Sequence, residues 1–302
     1  MKLNGIHHIT AITGDAQANV DFYVGVLGLR LVKKSVNQDS PSVYHLFFAD
    51  EAGSAGSDLT FFEYPGAPLG RAGAGMVHRV VWRVGSLDAL SFWAERLGAV
   101  GREPARNGDR LRFSDPEGLD HELVIDGSGD AQLSAEHSEI PAAHALAGFD
   151  AVRAYSATPE RSRAALEETL GFESHKEAGW EVRGGSRGGF YSYDEPPPGR
   201  RQEGAGTIHH VAWSSEQAEQ EAWQRRIAEA RLAPTPVIDR HYFESVYFRE
   251  PSGVLFEIAT SGPGFTVDET LETLGEELSL PPFLESRRGE IEAGLTPLRN
   301  PR

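Results

Sequence analysis

Apolar positions along the chain fall into short runs of strand length, each followed by a stretch in which apolar residues recur every three to four positions. The first run, Gly5-Ile6-His7-His8-Ile9-Thr10, passes through a polar turn into an amphipathic helix predicted over 15–27. A second copy opens at Gly148-Phe149-Asp150-Ala151-Val152-Arg153 and predicts a helix over 158–170. Both helices close on Leu-Gly-apolar, Leu27-Gly28-Leu29 and Leu170-Gly171-Phe172, where glycine takes the left-handed C-terminal conformation at little cost. The offset between Gly5 and Gly148 is 143 residues, and the same offset relates Gly28 to Gly171. A second pair repeats as well. Gly75-Met76-Val77-His78-Arg79-Val80-Val81-Trp82 matches Gly206-Thr207-Ile208-His209-His210-Val211-Ala212-Trp213. Each predicts a strand, then a helix (86–97 and 216–230), then a hairpin turning at Pro116-Glu117-Gly118 or Pro251-Ser252-Gly253. In each hairpin a glutamate, Glu122 or Glu257, lies six residues after the proline.

The pattern therefore predicts an α+β protein of four repeated modules starting near residues 5, 75, 147 and 206. The expected division is an N-terminal half over 1–130 (modules one and two), a C-terminal half over 146–264 (modules three and four), and a helical tail over 265–302. The tail is expected to hold helices over 266–278 and 283–295, separated by Pro281-Pro282.

Composition narrows the function. A hydrophobic content of 39% in 302 residues supports a sizeable core. The absence of cysteine removes disulfides, thiolate metal ligands and cysteine nucleophiles. A net charge of −16, with 25 arginines and only 4 lysines, disfavours nucleic acid as a partner. No apolar run is long enough for a membrane span and the first residues lack a signal-peptide core, so a cytoplasmic protein is expected; a homo-oligomer stays open.

Superimposing the repeats shows where ligand-type residues survive. Module one has His8 where module three has Ala151; module four has His210 where module two has Arg79; both hairpins keep a carboxylate. One combination is thus His8, His210 and Glu257, the two imidazoles and carboxylate that suit Fe(II) or Mn(II) and leave positions open. The other, Ala151, Arg79 and Glu122, has no imidazole and is expected to hold an Arg79–Glu122 ion pair instead. The plainer alternative is that Glu257, in an apolar strand, pairs with Arg240 or Arg249. Strand parity puts Thr10 on the face of His8, and a hairpin centred near Ser252 puts Tyr247 opposite Glu257.

The Gly-Ile-His-His-Ile-Thr opening, the four modules and the closing Gly253-Val254-Leu255-Phe256-Glu257 resemble the vicinal-oxygen-chelate superfamily of glyoxalases, bleomycin-resistance proteins and extradiol dioxygenases. Tyr44-His45-Leu46-Phe47-Phe48-Ala49-Asp50, the segment 239–247 and Leu280-Pro281-Pro282-Phe283-Leu284 are similar to the hydroquinone 1,2-dioxygenase branch. That resemblance implies four βαβββ modules forming two domains, and Fe(II), or Mn(II), on His8, His210 and Glu257. It also implies roles beside the metal for Thr10, His209, Arg240 and Tyr247, and ring opening of a diphenol by O2. Because Ala151 replaces the imidazole of module three, module one must pair with module four, and module two with module three. Simple parity turns His209 away from the metal; only a bulge or an inter-module cavity brings it in. Two rival readings go with the same fold. A glyoxalase-type isomerase or lyase would add Glu63 as a fourth ligand, whereas here Glu63 is expected exposed at a strand end. A metal-free small-molecule binding or resistance protein would need no metal at all.

Overall fold

A computed structural model describes residues 1–176 and 178–301. Each module is one helical segment and four strands. Module one supplies β1 (Ile6–Thr13), β2 (Arg30–Asn37), β3 (Ser40–Ala49) and β4 (Asp58–Glu63). Module two supplies β5 (Met76–Val84), β6 (Ala105–Asn107), β7 (Arg110–Ser114) and β8 (Asp120–Ile125). Module three supplies β9 (Phe149–Tyr155), β10 (Glu173–His175), β11 (Gly179–Arg183) and β12 (Gly188–Asp194). Module four supplies β13 (Thr207–Ser215), β14 (Ile238–Asp239), β15 (Phe243–Arg249) and β16 (Leu255–Pro263).

Two eight-stranded sheets result, in the orders β14-β15-β16-β13-β1-β4-β3-β2 and β10-β11-β12-β9-β5-β8-β7-β6. Modules one and four share the first sheet, two and three the second, as the pairing of ligands required. In every module the first strand runs parallel to the last, and modules join by an antiparallel first-strand pair, β1–β13 and β5–β9. One face of each sheet packs against the helical segments in a single apolar core, to which Trp82, Trp93, Trp213 and Trp223 all belong. The opposite face curls into a cup. No helix among the described residues is long and apolar enough to cross a membrane.

The helices depart from their expected form. The segment expected over 15–27 is an α-helix only at Ala16–Val20, capped by the Asp15 side chain, and widens to a π-helix at Asp21–Val26. The widening lets three successive residues, Phe22, Tyr23 and Val24, all be buried, more than the stripe of a regular amphipathic helix allows. Module three repeats it at Ala165–Thr169. The tail is less helical than expected. Its first segment holds only short 3₁₀ turns at Phe265–Val267 and Leu271–Thr273, and its second holds an α-helix at Arg288–Gly294. The reason is close docking on β2. A Cβ at Gly275 would lie 1.8 Å from the Leu31 carbonyl oxygen, and Leu278 forms a bridge with Lys34, so extended chain replaces helix there.

Tyr23 also ties the modules together. Its hydroxyl donates to Asp115 Oδ2 at 3.0 Å and meets His121 Nε2 at 3.0 Å, while the Trp82 indole N–H donates to His121 Nδ1 at 3.1 Å. Burial pushes the His121 imidazole down from 6.5 to about 3. The folded chain thus binds fewer protons at His121 than the unfolded chain between those values, and stability falls as pH falls through that window. At pH 4.5, about two pH units below the unfolded-state value, the cost is about 3 kcal/mol. His121→Gln should therefore lose less stability between pH 7.5 and 4.5 than the parent, by about that amount, in urea titrations at the two pH values. Parallel losses in the two proteins would refute the assignment.

Candidate metal centre

The β1–β13 ladder contains two bulges, and both histidine doublets lie on them. Ile6 pairs with Trp213 and Ile9 with Val211, so β1 carries an extra residue across His7 and His8. Thr10 pairs with His210 and Ala11 with Ile208, so β13 carries an extra residue at His209. A bulge breaks the alternation of faces and re-aims neighbouring side chains. In each doublet the two rings meet through their Nδ1 atoms, at 2.9 Å for His7–His8 and 2.7 Å for His209–His210. The bulge that parity alone could not supply sets His209 against the His210 ring, although His209 is not among the residues that line the cavity beside it.

The outer nitrogens of the doublets converge on Glu257. His8 Nε2 lies 3.3 Å from His210 Nε2 and 3.2 Å from Glu257 Oε2, and His210 Nε2 lies 2.9 Å from the same oxygen. All three side chains are buried. Among the described residues no arginine reaches Glu257; Arg249 bonds the Gly253 carbonyl and Arg240 bonds Asp39. Glu257 Oε1 accepts from the Ser245 hydroxyl, while Oε2 is buried and meets the two imidazole Nε2 atoms, which supply a donor only where one of them carries a proton.

Tautomers follow from one carbonyl. The Thr260 oxygen can only accept, so the His7 Nε2 at 3.1 Å from it carries the proton and His7 Nδ1 is bare. His8 Nδ1 must then donate to His7, which leaves His8 Nε2 as the atom facing the carboxylate. A lone pair there would oppose Glu257 Oε2 unless a cation lay between them. Burial works against charge on His8, but the Glu257 charge and hydrogen bond outweigh it and raise its pKa. Burial lowers His210. For Glu257 burial acts upward, yet the two imidazoles hold it well below the usual carboxylate range. A proton on His8 satisfies one contact; a divalent cation satisfies all three. A cation about 2.1 Å from three cis ligands gives ligand–ligand edges of about 3.0 Å in octahedral and about 3.4 Å in tetrahedral geometry. The observed edges of 2.9–3.3 Å fit that range. The donor set therefore suits a divalent metal.

The cavity beside these atoms is lined by Thr10, Arg240, Phe243 and Tyr247 together with His8 and His210. Tyr247 pairs with Glu257 across β15–β16, as the hairpin centre predicted, and burial raises its phenol. The Arg240 guanidinium lies 5.5 Å from the Tyr247 ring centroid. It is presented from a tight bend, where the next residue, His241, has φ 73°. Thr10, paired with His210, accepts a hydrogen bond from Thr60. His209 is partly exposed, and burial pushes it down to about 4, so its ring is neutral.

Glu63 stands elsewhere. It ends β4, as expected, but it is buried rather than exposed, with Oε1 accepting from the Ala16 amide at 3.3 Å. That oxygen serves the start of the first helix, and Glu63 is not in the His8–His210–Glu257 group. In the second sheet the equivalent cup holds Ala151, Arg79 and Glu122. Arg79 bridges Glu122 at 3.3 Å, as expected, and Arg110 and Arg112 add bridges at 2.8 and 3.4 Å. Sequence reasoning did not single out His7, Ser245 or His45. Ser245 shares its strand face with Tyr247, so parity could have found it; the His7 relay depends on a bulge that no residue pattern marks.

The model of the Glyoxalase/Bleomycin resistance protein/Dioxygenase superfamily matches residues 5–123 and 148–258. A Bacillus subtilis (strain 168) protein named "Putative ring-cleaving dioxygenase MhqO" is 43% identical over 304 residues, covering 98% of this chain and 97% of its own. The "Chlorohydroquinone/hydroquinone 1,2-dioxygenase" of Sphingobium indicum is 33% identical over 319 residues, covering 96% and 95%. A crystal structure of a "putative dioxygenase" from Bacillus subtilis subsp. subtilis str. 168 superposes with a TM-score of 0.92 at 42% identity, covering 99% of this chain and 98% of that one. Glyoxalase I from Zea mays shares the fold, with a TM-score of 0.58 at 15% identity, over 85% of this chain and 92% of its own.

Proposed function

The chain belongs to the glyoxalase/bleomycin resistance protein/dioxygenase superfamily, and on that footing we propose that it is a metal-dependent dioxygenase that opens the ring of a hydroquinone with O2. The observation that carries this reading is the convergence of His8 Nε2, His210 Nε2 and Glu257 Oε2 at one side of an aromatic-lined cavity. Two imidazoles and one carboxylate on a single face are the donors that Fe(II) or Mn(II) takes while leaving the cavity side open. The names of the relatives support a ring-cleaving reaction and a para-diphenol substrate.

The bound metal supplies the acidity that ionises a ring hydroxyl and the electron path between ring and dioxygen. The chain's own residues do the rest. His7 and His209 fix the tautomers of the two ligating imidazoles. His210 donates from Nδ1, so His209 accepts at Nδ1 and presents Nε2–H as a hydrogen-bond donor to a ring or dioxygen oxygen. Arg240 steadies the phenolate oxygen by a charge-assisted hydrogen bond, and the Tyr247 phenol, kept protonated by burial, adds a second donor. Thr10 and Thr60 hold the floor of the cavity. Phe243, whose ring centroid is 5.0 Å from that of His8, shields the ligands from water.

The test is anaerobic reconstitution of the chelator-treated protein with Fe(II) or Mn(II), then oxygen uptake with hydroquinone, methylhydroquinone and catechol. Uptake with the para-diphenols is expected; none with any diphenol would overturn the reading. Ser245→Ala, which frees Glu257 Oε1, should weaken metal binding by about 10- to 100-fold in competition titrations with a chelator, the usual effect of losing such a support. Unchanged affinity would show that Ser245 does not orient the carboxylate.

A further inference from the structure

We infer that His45 is the specificity residue that reads the ring hydroxyl farthest from the His8–His210–Glu257 corner, accepting its O–H at Nδ1. The inference rests on the diphenol reading above and names the feature of the substrate that the chain selects.

Two hydroxyls set the His45 tautomer. Thr60 donates its hydroxyl proton to Thr10, at 2.9 Å, and lies 2.9 Å from His45 Nε2. A hydroxyl that gives away its one proton can only accept from a second neighbour, so His45 carries its proton on Nε2. Nδ1 is left as a bare acceptor. Burial, helped by the nearby His8 and His210 imidazoles, holds the His45 pKa well below its usual value, so the ring stays neutral. The ring is clamped between Phe47 and Phe62, with centroids 4.0 and 4.3 Å away, and cannot swing to another partner without losing both contacts.

Position gives the acceptor its use. His45 lines the same cavity as His8 and His210. It stands on β3, two strands from β1 in the order β1-β4-β3, which is about 10 Å at the usual interstrand spacing. A ring anchored by one oxygen at the β1 corner therefore points its opposite edge toward β3. A para-diphenol carries a hydroxyl on that edge; a catechol keeps both hydroxyls at the anchored end, and a monophenol has none to offer. Three polar residues of the lining are tied to one another or to Arg240. Gln38 donates to the Arg240 carbonyl, Asn37 Oδ1 accepts from the Asp39 amide, and Asp39 bridges Arg240. A cavity that buries a bare acceptor discriminates against ligands lacking the matching donor.

The test compares binding of hydroquinone, phenol and 4-methoxyphenol to the Mn(II)-loaded protein by anaerobic calorimetry. The parent should bind hydroquinone roughly three- to tenfold more tightly than either of the others, the usual worth of one hydrogen bond. His45→Phe keeps the aromatic clamp and should abolish that preference while leaving phenol affinity unchanged. Thr60→Val leaves His45 in place but frees its tautomer, and should give an intermediate preference. No preference in the parent, a preference that survives His45→Phe, or an equal loss for phenol and hydroquinone would each overturn the inference. Because binding is read without oxygen, the two proposals fail separately. A His45-dependent preference with no oxygen uptake sinks the dioxygenase reading alone. Oxygen uptake with an unchanged preference in His45→Phe sinks only the role of His45.

Discussion

Glu257→Gln should lose metal and oxygen uptake together, each by about a thousandfold. The substitution keeps the shape of the side chain and an oxygen for the Ser245 hydroxyl, but removes the carboxylate that both imidazoles meet. Metal binding to small protein sites is worth roughly 10–16 kcal/mol over all ligands, so one of three ligands carries on the order of 3–5 kcal/mol, about a thousandfold in affinity. Metal content by mass spectrometry and oxygen uptake with hydroquinone read the two losses. Glu122→Gln is the matched control, at the same place in the other sheet. It strips Arg79, Arg110 and Arg112 of their shared carboxylate, so its melting temperature should fall while metal content holds. A Glu257→Gln protein that still binds stoichiometric metal would overturn the assignment of the centre.

Lys33→Ala should cost about 3–5 kcal/mol of stability and loosen the tail. Lys33 is wholly buried on β2, with its ammonium on Asp268, Glu269 and the Ser279 hydroxyl, and 5.1 Å from the centroid of the Tyr242 ring. Tyr242 in turn donates to Asp268 at 3.0 Å. Removing the cation leaves two carboxylates with only the His241 imidazole, 3.5 Å from Asp268 Oδ2, beside them, and breaking one partner of a buried pair is what makes such changes costly. The tail residues Phe265 and Leu274 pack in the same apolar cluster as Phe243, the residue beside His8, so the loss should reach the metal corner. Urea denaturation should show the lower midpoint, and limited proteolysis should cut the tail within 265–279 before the rest of the chain. Restoring neutrality with Lys33→Met, Asp268→Asn and Glu269→Gln together should recover most of the midpoint. A Lys33→Ala midpoint within 1 kcal/mol of the parent would mean that the tail is held by its apolar contacts alone.

The repeats were legible because they are written in backbone requirements. Gly28 and Gly171 both adopt positive φ, at 70° and 74°, and both end a helical segment, so the 143-residue offset marks a real structural repeat. Ala151 in place of His8 and Arg79 in place of His210 leave only modules one and four able to share a metal corner, which is why the sequence alone says which modules share a sheet. Parity placed Tyr247 opposite Glu257 because the hairpin keeps strict alternation from Arg249 back to Ser245, and its register shifts only beyond, between Ser245 and Phe243. It failed at His209, where one extra residue breaks the alternation. The helical periodicity of 266–278 misled for a different reason. Its acidic residues Asp268 and Glu269 turn inward to Lys33, and Lys33 looks like a surface residue until the tail covers it. Contacts made by a segment more than 230 residues away leave no mark in the local pattern.

The two bulges also set how the chain tolerates insertion and deletion. A strand is read in twos, and each doublet is a place where two residues answer one partner. Ile6 and Ile9 both face the core although three steps separate them, because the extra residue absorbs the odd step. Deleting one histidine of either doublet would return the strand to plain alternation and leave the pairs on both sides of it on their present faces. The sheet would survive such a deletion and the doublet would not, so the centre is encoded as much by an odd count as by its histidines.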